Sequence, residues 1–524
     1  MAVLHALART LATGRLIVFA VLLSGCAARA PAPPAPPPDP DAAEIAIGER
    51  HYAPARQALG GDFILDPPVV AYVREVGAKL AAVAERPLPY EFAVLDDGVP
   101  SAWGLPGGKI AVSRGLVQNL RSESELAAVL AREIVHAAAR PGAPGIDRSV
   151  PRQGSTVAVG LGVQNPRYAQ LVLQDGRAAT QLASVRHAAE AELAADRATA
   201  QLMKRAGYDP QAAVTVQEML LRLSRGKDAS PTDGLLATQP PSEPRTAALR
   251  RIAADTGSGA SGGADRFRER TAALRAASAL FDALSDGQRA LARSDYATAT
   301  AAARRALAAD PRSARAQELM GDVELGQKRP DSALRHYAEA IRLQEDYFRP
   351  HVQTGIALAA AGRLNDAEPA LRRSLQLLPT AAAYYFLGTI AEGRGRTDEA
   401  LRHYQTAAGT AADVGRQASG RFVRLDLPRN PSRYLQADVQ AATDGTLYVV
   451  LQNAAPVPLV DLRVRIVRVD GDKLADQTPP FTVTQPLQAG RTVQIPLVRA
   501  NLRTPDDVQF FRVIVDSVRA MPQG

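Results

Sequence analysis

Arg132-Glu133-Ile134-Val135-His136 is the stretch whose residue types and spacing come nearest to chemistry. In the pattern H-E-x-x-H, histidines four apart share one helical face and aim at a single Zn²⁺, while the glutamate acts as general base on the metal-bound water. Glu133 and His136 keep the base and the second imidazole, and Arg132 stands where the first ligand belongs. A guanidinium is permanently charged and binds no cation. Alone, Arg-Glu-apolar-apolar-His arises on many amphipathic helices, so the elements that position it carry the argument.

The helix has a start and a stop. Ser122 and Glu125 are spaced as a capping box, Leu126, Val129, Leu130 and Ile134 form an apolar stripe, and Pro141-Gly142 ends the run. Upstream, Ser101-Ala102-Trp103-Gly104-Leu105-Pro106-Gly107-Gly108 leads through a glycine turn into Lys109-Ile110-Ala111-Val112-Ser113, whose alternation predicts a strand with one solvated side. Downstream, a helical stretch carries Glu192-Leu193-Ala194-Ala195-Asp196 and closes on Lys204-Arg205-Ala206-Gly207, which puts Glu192 and Asp196 on one face.

In this order, with Glu44-Ile45-Ala46-Ile47-Gly48, Ala71-Tyr72-Val73 and Ala206-Gly207-Tyr208-Asp209-Pro210, the segments resemble the HtpX-like and CaaX-prenyl-protease-like zinc metallopeptidases, the forty-eighth metallopeptidase family. The likeness is specifically to the periplasmic branch fused to tetratricopeptide repeats. The resemblance implies a mainly α, gluzincin-like domain with a small β edge, in which the strand after the P-G-G turn borders the substrate cleft. Position by position it implies Glu133 as general base, His136 and Glu192 as zinc ligands, and Asp196 as a second carboxylate that orients a ligand.

The chain departs from that pattern at Arg132, at Ser101 for the usual asparagine, at Ala188-Ala189 for a serine-arginine pair, and at Gln239, which takes the place of a loop histidine near the metal. Catalytic zinc keeps three protein ligands, and His136 with Glu192 makes two. His187 lies five residues before Glu192 and off its face, while His51, His336, His351 and His403 belong to other segments. Two fates stay open for Arg132: pairing with Glu192 or Asp196 in place of the metal, or turning outward to water.

The 524 residues, 46% hydrophobic and 22% charged, suit about three globular domains and exclude a disordered chain. Arg9 and Arg15 precede an apolar run from Leu16 to Leu23, too short to span a bilayer and suited to export. It ends in Leu23-Ser24-Gly25-Cys26, which resembles a lipoprotein cleavage box, so residues 1–25 are expected to be removed and Cys26, the single cysteine, acylated. Ala27 follows without a retaining aspartate, which by resemblance implies the outer membrane, facing the periplasm. The proline-rich stretch to residue 42 is a spacer. Cleavage removes Arg9 and Arg15 and takes the net charge from +8 to +6, with no basic stripe for nucleic acid.

The metallopeptidase-like domain is expected over 43–255 and a flexible glycine-serine linker over 256–264. Over 265–415, Gly287, Gly321, Gly355 and Gly388 recur in step with Ala299, Ala333, Ala367 and Ala400, and with Ala306, Ala340, Ser374 and Ala407. Tyr337 and Tyr404 fill an aromatic position, which completes a tetratricopeptide signature and predicts an α-solenoid. Its concave face suits envelope proteins or unfolded peptides, unless it only braces the first domain. Over 430–524, alternating strands between Asp444-Gly445, Asp470-Gly471 and Ala489-Gly490 predict a β-sandwich. Three functions compete: a membrane-anchored factor in envelope protein quality control with an impaired zinc site, a working zinc metalloendopeptidase with an atypical site, and a non-enzymatic assembly scaffold.

Overall fold

Apolar periodicity and turn glycines build the first part of the chain as helices around a three-stranded sheet. The computed structural model describes residues 40–138, 189–224, 242–259, 262–410, 413–442, 444, 446–470, 473–499 and 505–521. Cys26 with its signal and spacer, the Pro141-Gly142 stop, Ala188, His187 and Gln239 lie outside them. Residues 44–524 form one unit, and of 1–43 only the beginning of the first helix is described.

Helix α1 (Pro40–Ala58) leads to α2 (Pro67–Ala81), whose start is set by prolines and by the Asp66 carboxylate accepting the Val69 N–H at 3.2 Å. Strands β1 (Glu91–Leu95), β2 (Ala102–Leu105) and β3 (Lys109–Ser113) follow in the spatial order β1-β3-β2, with β1 parallel and β2 antiparallel to β3. Gly107 and Gly108, at φ 79° and 84°, make the turn between β2 and β3 in a region that favours glycine.

Two expectations for β3 are corrected here. All five of its residues are buried, because Ala111 packs toward Tyr52 and Ala55 of α1 and the following Leu59, while Ile110 and Val112 join the core on the other face. The strand is also central, bonded on both sides, so the edge strand beside the motif helix is β2.

Helix α3 (Arg114–Asn119) precedes the motif helix α4 (Glu123–Ala138). Ser122 Oγ accepts the Glu125 N–H at 3.1 Å, and the Glu125 carboxylate reaches back to the Arg121 N–H at 2.5 Å, one residue earlier than in a reciprocal box. Helices α5 (Ala189–Arg205), α6 (Gln211–Ser224) and α7 (Glu243–Thr256) complete the domain. The linker after α7 is pinned at its far end, where the Gly262 carbonyl accepts the Ser124 N–H at 3.0 Å.

Two short helices, α8 (Ala264–Arg270) and α9 (Ala272–Ala276), lead into four helix pairs: α10 (Ser278–Ala292) and α11 (Tyr296–Ala309), α12 (Ala314–Gly326) and α13 (Pro330–Leu343), α14 (Phe348–Ala360) and α15 (Leu364–Leu377), α16 (Ala381–Gly393) and α17 (Thr397–Ala407). Helix α18 (Asp413–Asp426) packs on the last pair. Three of the recurrent glycines sit where the paired helix inserts a large side chain: a Cβ at Gly321, Gly355 or Gly388 would come within 2.7 Å of Tyr337, Leu371 or Tyr404. The recurrent alanines and Ser374 are fully buried. One apolar cluster runs from Phe63 in the first domain through Phe267 and Phe281 to Val323 of α12, so the repeats and the first domain share a core.

Beyond α18 lie two antiparallel sheets. Strands β4 (Leu435–Ala441), β5 (Thr446–Asn453) and β9 (Thr492–Arg499) form one. The other holds β6 (Leu459–Asp470), β7 (Lys473–Asp476), β8 (Phe481–Val483) and β10 (Phe511–Ala520). Val449 and Leu451 from the first sheet and Leu462, Val464 and Ile466 from the second enter a common cluster. Among the described residues no helix is long and apolar enough to cross a membrane.

Candidate functional site

Helices α4 and α5 pack together and bring the motif residues face to face. Arg132 points inward: one terminal nitrogen donates to Asp196 Oδ1 and the other to Glu192 Oε2. Arg245, in the first turn of α7, completes the group, donating to Asp196 through Nη2 at 3.0 Å and Nε at 3.2 Å and approaching Glu192 Oε2 at 3.1 Å. Side-chain exposures of 9% for Arg132, 15% for Glu192, 3% for Asp196 and 12% for Arg245 mean that four charges are held largely out of water and balance in pairs. A guanidinium fork suits such double pairing, since each carboxylate receives its own N–H.

Glu133 is buried next to Arg132, and His136 is half-buried one turn further on. Gly104 of β2 lets the edge strand lie directly on this helix, since a Cβ there would come within 2.9 Å of the Glu133 carbonyl oxygen. Beside the quartet is a cavity of about 30 Å³ lined by Val129, Glu133, Thr199, Gln217 and Leu249 together with Arg132 and Arg245.

These residues do not fit a catalytic zinc ion. The first-ligand position holds a guanidinium, and the Glu192 carboxylate is committed to two arginines. Among the described residues no three His, Cys, Asp or Glu side chains gather in a metal-holding group. Arg245 escaped the sequence reading. Its only local signal was a helix start, Ser242-Glu243-Pro244, in which Ser242 Oγ accepts the Arg245 N–H at 3.3 Å.

A second buried ionic assembly, also unforeseen, ties the first domain to the repeats. Asp96, just past β1, accepts Arg114 Nε at 2.7 Å and Arg315 Nε of α12 at 3.3 Å. Arg315 bonds Glu318 at 2.9 Å, Glu318 also pairs with Arg349 of α14, and Arg349 reaches Asp322 at 2.6 Å. Asp322 in turn accepts Tyr337 Oη at 2.8 Å and Gln353 Nε2 at 2.7 Å. Arg114 stacks on Phe281 and Arg315 on Tyr347, each 3.8 Å from the ring centre. Next to the chain, burial pushes Asp97 up to about 7, against the N–H of Val99 and the nearby Arg114. Gln57 of α1 adds a clasp, donating to the Asp346 carbonyl at 2.6 Å and accepting the Phe348 N–H at 2.9 Å.

A helix bearing R-E-x-x-H thus packs on one bearing E-x-x-x-D and against a small mixed sheet, the arrangement of a metallopeptidase-type domain. Residues 69–253 are a peptidase family M48 domain, and 284–347 and 352–414 match tetratricopeptide repeats. The chain is 26% identical over 396 residues to a protein named beta-barrel assembly-enhancing protease from Escherichia coli K12, covering 66% of this chain and 80% of that one. It is 30% identical over 192 residues to the mitochondrial metalloendopeptidase OMA1 of Arabidopsis thaliana, 36% of this chain and 37% of the relative. A solved thermophilic repeat protein from Thermus thermophilus aligns with 35% of this chain and 94% of its own at 18% identity and a TM-score of 0.26; the assignment rests on the sequence matches.

Proposed function

We propose that this protein is a membrane-anchored periplasmic lipoprotein of the M48 peptidase family that handles outer-membrane proteins, in their assembly or quality control, and whose zinc site is impaired by Arg132. The observation that carries the reading is the Arg132 guanidinium bonded to both Glu192 and Asp196. The assembly role is supported by the relative named for enhancing β-barrel assembly, which covers domain and repeats alike. Acylated Cys26 supplies the anchor, and the repeats take envelope proteins or unfolded peptides. The facing C-terminal sheets are read as a β-sandwich serving as a binding or spacer module.

The purified mature chain tests the reading. Much less than one zinc per chain is expected, with no peptide hydrolysis that a chelator abolishes. Stoichiometric zinc held through His136 and Glu192, with Glu133 as base, would overturn it in favour of an active zinc metalloendopeptidase. Crosslinking in cells separates handling from scaffolding: deletion of 265–415 is expected to remove the envelope-protein adducts. Cys26→Ser is expected to leave the chain unprocessed or released from membranes.

A further inference from the structure

We infer that the paired guanidiniums of Arg132 and Arg245 are the resident cation of this site, a metal-independent staple that holds α4, α5 and α7 together. The inference rests on the metal-impaired reading above and assigns the altered site a structural role of its own.

Glu192 and Asp196 lie four residues apart on α5 and face inward, and Asp196 is almost wholly buried. Two carboxylates in such a place repel each other and lose hydration, so the helix keeps them there only if a compensating charge is fixed nearby. The compensation comes from two helices at once. Arg132 of α4 gives each carboxylate a separate terminal nitrogen, and Arg245 of α7 meets the same two groups. Two positive charges match two negative ones, and three segments distant in sequence meet at a single knot. The adjoining cavity of about 30 Å³ has room for roughly one water molecule, so a metal with its bound solvent has to displace a guanidinium. The staple also depends on shape: a lysine at 132 has one compact ammonium where the arginine has a fork.

Thermal unfolding of the full mature chain, read by circular dichroism with and without EDTA and added Zn²⁺, tests this. The unmodified chain is expected to melt at the same temperature under all three conditions. Arg132→Ala is expected to lower the midpoint by roughly 10 °C, and Arg132→Lys by less. Arg132→His restores two imidazoles four apart; its midpoint is expected to be low in EDTA and to recover with Zn²⁺ but not Mg²⁺. If Arg132→Ala does not fold, Arg132→Lys and Arg245→Gln decide, and both are expected to melt early in EDTA. Unchanged midpoints in these variants, with the parent still metal-free, would overturn the staple and leave the proposed function standing. An EDTA-sensitive parent that contains stoichiometric zinc would overturn that function as well.

Discussion

The ionic assemblies around Arg132 and around Asp96 are both buried, and they differ in where their charges come from and in what they join. Around Arg132 the charges stand on three helices of one domain and meet in a single knot. Around Asp96 the charges alternate through Arg315, Glu318, Arg349 and Asp322 and cross from the first domain into the second and third repeats. The first is a compact quartet in which both cations serve both anions. The second is a chain in which each charge has its own neighbours, so it fails link by link. Compact knots fix a local geometry, and extended chains fix the relation between larger parts.

Asp96→Ala has the largest expected effect, because it leaves Arg114 and Arg315 buried without their shared carboxylate; a loss of about 3–5 kcal/mol follows. Calorimetry should then resolve separate unfolding of the array and the first domain, and one unsplit transition at the parent temperature would remove the chain from the account. The quartet is probed by a double-mutant cycle of Arg132→Ala and Arg245→Ala. Because both arginines serve the same carboxylates, a coupling of about 1–3 kcal/mol is expected, whereas simple additivity would make them independent contacts.

Asp97 sharpens the contrast through pH. Its folded value is raised from the ordinary 3.8 to about 7, so the folded state holds its proton more tightly than the unfolded one. The resulting penalty is absent below pH 4, grows as pH rises, and is complete above about 7. In Asp97→Asn the fall in stability between pH 5 and 8 should flatten, while the melting of Arg132 variants relative to the parent should not acquire that dependence. A pH profile identical to the parent would rule out Asp97 as its source. The smallest effect is expected for Tyr337→Phe, which deletes one hydrogen bond to Asp322 at the far end of the chain and costs about 1 kcal/mol in urea denaturation.

Much of the architecture was legible along the sequence because it rests on local periods. Ser122 and the stripe from Leu126 to Ile134 mark α4, and the spacing of Glu192 and Asp196 puts both on one face of α5. The glycine and alanine registers mark the repeats, since Gly321, Gly355 and Gly388 each meet a large side chain of the paired helix and the alanines are buried. The strand at Lys109–Ser113 reads in sequence as half-solvated, because lysine and serine at its ends imitate alternation, whereas in the fold both faces are covered.

By itself, then, the sequence determined that Arg132, Glu133 and His136 follow one another on one helix in the spacing R-E-x-x-H, and that two carboxylates share a face further on. Only the tertiary structure decided that Arg132 turns inward, that Arg245 joins it, and that the repeats grip the first domain through Asp96. Helical period and capping act over a few residues and are written in their spacing. The partner of a buried charge is chosen by which segments the fold brings within hydrogen-bond reach, and here those lie 49 to 219 residues apart in the chain.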